Sequence, residues 1–371
     1  MSRSPRLFEP LAIGPLNLPN RIIIEPMCQY SATDGCMGPW HTIHLGHLAL
    51  SGAGMLTIEA TAVSPEGRLT ARDVGLWNDA TEAAMARTVS QIRAVSSMPL
   101  AVQLGHAGRK ASTTVAWLGM DQLPPDHGDG WQTVAPSPVP FNETDVAPLE
   151  LDEAAIRKTV RQFVDAAMRA ARLGIDAIQL HFAHGYLAHQ FLSPLSNRRT
   201  DSYGGELAGR MRFPLEVFNA VRRAVPDVAL TVRISATDWV EGGWDVQQSV
   251  EFALALQARG CDAIDVSTGG AVPDASIPAG PSYQVPFAAT LKQALSIPVV
   301  AVGLITAPAQ AEGILACAQA DAIGLARAAL DDPRWPWRAA SELQATVPIP
   351  RQYRLAPPMR DRHIVGPLST S

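Results

Sequence analysis

Residues 174–186 read Gly-Ile-Asp-Ala-Ile-Gln-Leu-His-Phe-Ala-His-Gly-Tyr, and the setting of this stretch decides the fold class. Before it, Asp152–Leu173 reads as a helix, with Asp152 placed to cap it and Gly174 placed to end it. Within it, Ala177–Phe182 is one of eight short runs rich in Val, Ile, Leu and Ala. Working outward, the others are Arg21–Met27, Met55–Ala60, Leu100–Leu104, Ala229–Ser235, Ala263–Ser267, Val299–Gly303 and Ala322–Ala326. Continuous apolar runs of this length suit strands covered on both faces, as in parallel sheets. Helical patterns separate them, at His41–Ser51, Thr81–Val95, Leu207–Ala224, Val246–Ala258, Pro286–Ala294 and Ala307–Ala318. Eight strands alternating with helices predict an α/β fold, a (β/α)8 TIM barrel. A doubly wound sheet is the competitor, but no G-x-G-x-x-G follows any strand.

Composition narrows the function. The 371 residues are 47% hydrophobic and 18% charged, with net charge −5, which describes a globular protein with a large core. Mild acidity without a long basic block argues against nucleic acid as a partner. The N-terminal twenty residues lack the apolar segment of a signal peptide. The longest charge-free stretch, 293–311, is broken by Pro298, Gly303 and Pro308, so no membrane span is expected. Cys28, Cys36, Cys261 and Cys317 form no C-x-x-C pair, which speaks against a zinc or iron–sulfur centre and for a reducing cytoplasm.

Two segments exceed the minimal repeat. Ala107–Glu150, rich in Pro, Gly and Trp, is a long excursion after the third strand, of the length that covers sites. Val347–Ser371 is Pro- and Arg-rich, with Arg351, Arg354, Arg360 and Arg362 and too few apolar residues for its own core. It reads as an arm, disordered or docked on another surface. The expected division is a single barrel over 1–353, with 107–150 as its capping excursion, and an arm over 354–371.

Barrel enzymes carry chemistry at the carboxyl ends of their strands. Here those ends hold Pro26-Met27-Cys28-Gln29-Tyr30, then Gln103 and His106, then His181, His184 and Tyr186. Arg233, Ser267-Thr268-Gly269-Gly270, Gly303 and Arg327 complete the set. A buried Arg233 without a partner would be costly, so it implies an anionic or acceptor-rich ligand unless a barrel carboxylate pairs it. Arg327, opposite the glycines after strands six and seven, stands where barrels hold phosphate. His181 and His184 are open to two roles, metal ligation or hydrogen bonding to a substrate oxygen, with Tyr186 as proton donor in the second. No nearby carboxylate or cysteine completes a metal set. His41, His44 and His47 spread around a helix and read as packing.

The motifs Pro26-Met-Cys-Gln-Tyr30, Gln103-Leu-Gly-His-Ala-Gly-Arg-Lys110 and His181-x-Ala-His-Gly-Tyr186-Leu resemble those of the Old Yellow Enzyme family. Phe191-Leu-Ser-Pro-Leu-Ser-Asn197, Asp201-x-Tyr203-Gly-Gly205 and Val302-Gly-Leu-Ile-Thr306 extend the resemblance over about residues 7 to 353. Cys28 after Pro-Met, with Tyr30 two further on, resembles the thermophilic-like, YqjM-type ene-reductases. The resemblance implies an FMN barrel that takes hydride from NADPH or NADH and reduces an activated alkene, an α,β-unsaturated carbonyl or nitro compound. It places Glu25, Pro26, Met27 and Cys28 along the flavin, and Ala60 and Gln103 at its pyrimidine side. Arg233 is implied near N1 and the C2 carbonyl, with Gly303, Ala326 and Arg327 about the phosphate. His181, His184 and Tyr30 are implied to bind substrate oxygen. Hydride then passes from flavin N5 to the β-carbon while Tyr186 protonates the α-carbon.

Departures from the family pattern are specific. Ala326 stands where glycine is usual before the phosphate arginine, and Glu206-Leu-Ala-Gly-Arg210 replaces Ser-Leu-Glu-Asn-Arg. Gln352-Tyr353-Arg354-Leu355 shifts by one place the arginine that relatives lend to a neighbouring subunit. A homodimer or a tetramer of dimers is expected, with Arg354 near the partner's substrate mouth. The competing readings are a dienoyl-CoA reductase-like flavoenzyme and a non-catalytic FMN-binding protein.

Overall fold

Side chains enclosed on both faces of a sheet are best aliphatic, and a closed parallel sheet encloses both. A computed structural model describes residues 4–357 and 359–365. Eight parallel strands close into a barrel: β1 Ile22–Ile24, β2 Met55–Ala62, β3 Leu100–Gly105, β4 Ala177–Phe182, β5 Ala229–Ser235, β6 Ala263–Ser267, β7 Val299–Ala301 and β8 Ala322–Leu325. They run in that order, and β8 returns to β1 with Leu325 opposite Ile24. Helices α1 Pro39–Ala49, α2 Asp79–Arg93, α3 Glu153–Arg172, α4 Leu207–Ala224, α5 Val246–Gln257, α6 Val285–Ala294 and α7 Pro308–Ala316 connect successive strands, and α8 Trp335–Glu342 follows the last. The expected barrel is the observed one.

Local chemistry sets the boundaries. The Asp152 carboxylate accepts from the Ala155 amide at 2.7 Å, and Gly174 ends α3 with φ +69°. β1 is shorter than the Arg21–Met27 run, because Glu25 gives the last ladder bond, to Leu325 O at 2.9 Å, and Pro26 has no N–H to continue it. β7 stops at Ala301, ahead of Gly303 at φ +108°. β2 instead runs on to Ala62, beyond a register irregularity against β3 between Ile58 and Thr61.

The amino-terminal mouth is closed by a feature absent from the sequence reading. A hairpin of Leu11–Ile13 and Leu16–Leu18 sends Ile13 and Leu18, each 1% exposed, into the barrel. They meet one residue from every strand: Ile23, Met55, Ala101, Ala177, Ala229, Ala263, Val300 and Ala322. Five alanines leave the room that the two hairpin residues occupy.

The excursion 107–150 is almost all loop, tied by a two-residue ladder, Val134–Ala135 with Leu149–Glu150. Arg109 holds it down, donating to the carbonyls of Val139, Pro140 and Ala271. The tail folds back on its own chain: Val347 N donates to Ile364 O at 3.0 Å, and Ile364 is buried against Ala340, Ala345 and Val347. Of the two readings of the arm, disordered or docked on another surface, the described residues of 347–365 show docking, on their own chain, because two or three apolar residues suffice to complete a patch that α8 already offers. The side chains of Arg360 and Arg362, with residue 358 and residues 366–371, lie outside the described residues.

Leu18→Ala empties the plug while leaving the opposite end untouched. It should cost about 2–5 kcal/mol in urea unfolding. A loss below about 1 kcal/mol would show that the hairpin merely rests on the barrel.

Candidate functional site

At the carboxyl end the barrel interior turns polar, because β3–β6, and Glu25 just past β1, point hydrophilic residues inward. Gln103 donates to Gln179 at 2.6 Å, Gln179 to Asp265 at 3.1 Å, and Arg233 Nη1 to Glu25 Oε2 at 2.6 Å. Arg233 Nε lies 3.6 Å from Asp265 Oδ1. All five side chains are buried. Of the two readings of Arg233, pairing with a barrel carboxylate is the one observed: two carboxylates face it, and unpaired charge is no argument for an anionic ligand. The layer is still incompletely satisfied. Glu25 Oε1, Asp265 Oδ1 and Arg233 Nε have no hydrogen-bond partner. Burial, then Asp265, pushes the Glu25 carboxyl well above its usual range, with Arg233 opposing.

Beside this layer β4 ends in a tight turn. His184 takes φ +58°, a left-handed conformation that costs a non-glycine residue about 1–3 kcal/mol. Its amide donates to Ser235 Oγ at 2.9 Å, and Gly185 N donates to His189 Nδ1 at 2.9 Å. Lys110 Nζ donates to the carbonyls of His184 and Gly270, 3.0 Å each. A side chain at Gly185 would strike the Gly270 carbonyl, so glycine there permits the close approach. The turn stacks three rings: His181 lies edge-on to His184 at 5.0 Å and to Tyr186 at 4.8 Å. His184 Nε2 is 2.7 Å from Ser267 Oγ, whereas the buried Nδ1 of His181 has no partner. Burial, then the Arg233 charge, holds both histidines well below their usual range, so they are neutral near pH 7. Tyr186 is pushed up, chiefly by burial, and keeps its phenolic proton.

One cavity joins Cys28, Ala60, Asp73, His106, His181 and Tyr186. Burial, then Asp73 and Glu59, raises the Cys28 thiol well above its ordinary value, so it is a thiol and not a thiolate. Tyr30, at φ +49°, packs with Tyr186 against Leu69, Ala107 and Ala111, and meets the exposed Trp117 edge-on at 5.8 Å. Asp73 is raised to about 6 and Glu59 to about 8, each mainly by burial. Met27 packs on the core beside half-buried Pro26. Gly303, Ala326 and Arg327 stand apart, at the ends of β7 and β8. Arg327 is exposed at the start of the short helix Arg327–Asp331 and makes no hydrogen bond or ion pair with the described residues. His41 accepts from Gly38 N and faces Glu59 at 3.7 Å inside the fold, as a packing residue does. Among the described residues no cluster of three metal-ligating side chains occurs.

The sequence reading overlooked Gln179, Asp265, Asp73 and, as a chemical group, Lys110. Gln179 and Asp265 carried a signal, being polar residues inside apolar runs. Lys110 carried none, since its burial comes from Phe141 of the excursion, whose ring lies 4.5 Å from Nζ, and from Tyr186 at 5.6 Å.

Burial, then Arg109, brings Lys110 from 10.5 down to about 8. Between about pH 8 and 10 the unfolded chain retains a proton that the folded chain has released, so this group's contribution to stability rises with pH. Urea midpoints at about pH 7.5 and 9.5 should show wild type gaining on Lys110→Met across that window. A constant gap would mean that Lys110 titrates normally.

The profile of the NADH:flavin oxidoreductase / NADH oxidase family matches residues 6–346. An NADPH dehydrogenase of Geobacillus thermodenitrificans is 42% identical over 349 residues, covering 94% of this chain and 97% of that protein. An NADPH dehydrogenase of Bacillus pumilus is 43% identical over 350 residues, covering 94% and 98%. Among solved structures, morphinone reductase in complex with tetrahydroNAD superposes with a TM-score of 0.75 at 29% identity, covering 93% of each chain.

Proposed function

We propose, from the premise that this chain belongs to the NADH:flavin oxidoreductase / NADH oxidase family, that it is an ene-reductase for activated alkenes. Membership makes it an FMN-dependent oxidoreductase with NAD(P)H as electron donor. The names of the relatives favour NADPH. The observation that carries the finer reading is the edge-on packing of His181 with His184 and Tyr186, with His181 and Tyr186 lining the cavity of Cys28 and Ala60.

The residues present fit FMN. Arg233 keeps a buried N–H without a partner, and Arg327 is an exposed cation at a helix start, so donors remain for an electron-rich ring edge and for a phosphate. In this reading Arg327 and the Ala326 backbone hold the phosphate, with Gly303 beside them. Gln103 and Ala60 contact the pyrimidine side, Glu25 to Cys28 line the ring, and Arg233 faces N1 and the C2 carbonyl. Bound FMN supplies the hydride, drawn from NADPH, that ends on the β-carbon of the alkene.

The protein's own part is polarisation and protonation. His181 and His184, uncharged, donate N–H bonds to the carbonyl or nitro oxygen and stabilise the negative charge that gathers there. Neutral donors suit this role, because a protonated pair beside Arg233 would carry a large desolvation penalty. Tyr30 adds a third contact to the same oxygen. Tyr186 gives its proton to the α-carbon, and the Cys28 thiol tunes the ring by dipole and packing. Lys110, over the Tyr186 ring, favours the phenolate left after that transfer. Four unpaired cysteines agree with residence in a reducing cytoplasm, and no described helix is long and apolar enough to cross a membrane.

Purified protein should be yellow and should oxidise NADPH quickly only when cyclohexenone is present. Tyr186→Phe should slow cyclohexenone reduction about 10²–10⁴-fold while NADPH still bleaches the flavin. Wild-type turnover in that variant would transfer the protonation to another group or to water.

Assembly belongs to the same reading: a homodimer or a tetramer of dimers, with Arg354 at the partner's substrate mouth. Because the tail also buries Ile364 against Val347, deleting it would confuse stability with catalysis. Arg354→Ala is the cleaner test. It should raise the Michaelis constant for cyclohexenone, whereas unaltered kinetics would remove Arg354 from the site.

A further inference from the structure

The carboxylate of Glu25 is unusually committed. Its backbone N–H completes the β8 ladder at Leu325 O, and its Oε1 lies where a side chain on Gly324 would stand, so β8 leaves a notch for it. From there Oε2 reaches Arg233 Nη1 at 2.6 Å. The charged groups that act on it are Arg233 from β5 and Asp265 from β6, and the notch in β8 is formed by Gly324 beside Val302. One buried cation thus faces two buried carboxylates, and one oxygen of each carboxylate is unpartnered.

We propose that Glu25 is a positioning residue that holds Arg233 and offsets its charge, so that the grip of Arg233 on an anionic ligand edge depends on whether Glu25 carries a proton. The proposal rests on the reading above, in which Arg233 faces the flavin. An ionised Glu25 turns Arg233 from a point charge into one end of a short dipole, whose field falls away faster with distance. A protonated Glu25 leaves the cation's field unopposed on that side. Burial and Asp265 favour the protonated form and Arg233 the ionised one, so the state of Glu25 is set by the balance between them. The gain appears where negative charge collects, in the reduced cofactor more than in the oxidised one. Glu25 therefore sets the ratio of the two affinities, which is what a midpoint potential measures.

The test is a redox titration of FMN-loaded protein from about pH 6 to pH 9, with Glu25→Gln and Arg233→Lys beside wild type. Glutamine keeps the size and an acceptor for Arg233 but cannot ionise. At high pH, Glu25→Gln should bind reduced over oxidised FMN about tenfold more favourably than wild type, and the two curves should converge as pH falls. Coincident or parallel curves would overturn the proposal. Arg233→Lys keeps a cation without the planar fork and separates the two levels of inference. If it shifts the ratio while Glu25→Gln does not, the flavin reading of Arg233 stands and only the role of Glu25 falls. If neither moves the ratio, both fall. Should Arg233→Lys be insoluble, the wild-type and Glu25→Gln curves alone decide the role of Glu25.

Discussion

Closing eight parallel strands removes every sheet edge, and it creates an interior that only side chains can fill. The two ends of this barrel meet that demand with opposite chemistry. At the amino-terminal end, five alanines and the hairpin residues Ile13 and Leu18 make a dry plug. At the carboxyl end, Gln103, Gln179, Asp265, Arg233 and Glu25 fill the same cross-section with groups that must satisfy one another, because water is excluded. An interior cannot be polar throughout and remain stable, so the dry plug is what makes a polar upper layer tolerable.

The fold was legible because its signal repeats. Eight apolar runs and the helices between them each repeat one short-range rule, and an error in any one boundary leaves the alternation intact. Boundaries were missed where a single residue overrides the run, as Pro26 does in β1 and Gly303 in β7. The hairpin escaped notice because three-residue strands have too few positions to show a period. The surface on which the tail docks was not legible, because its burial depends on α8, which no local pattern in 347–365 reports.

The candidate site was legible in a different way. His181, His184, Tyr186 and Cys28 stood out as reactive groups at strand ends, and the structure places His181, Tyr186 and Cys28 around one cavity, with His184 beside them. Arg233 was noticed for the right reason, the cost of a buried charge, but its partners lie 208 residues away at Glu25 and on the neighbouring strand at Asp265. Pairing over such distances depends on strand order and register, which composition does not encode. Lys110 illustrates the limit further, since a lysine in a Gly-Arg-Lys turn reads as solvated until the excursion closes over it.

Burial acts with one sign on every ionisable group of this cavity and has different consequences for each. It discharges His181 and His184 and keeps the proton on Tyr186 and Cys28. It also draws Lys110 toward neutrality. Asp73, at about 6, and Lys110, at about 8, keep their charges near pH 7, so with Arg233 they set the potential in a cavity whose rings and thiol are uncharged. The left-handed backbone at His184 serves the same arrangement. It lets Gly185 approach Gly270 and turns the chain so that three rings pack edge-on within 5.0 Å of one another's centres along the path His184–His181–Tyr186. Hydrogen bonds from Lys110 and to Ser235 hold that conformation against its strain. In the proposed reaction, rings fixed in this way would need no reorganisation as charge develops, which is the condition under which neutral donors stabilise an oxyanion most strongly.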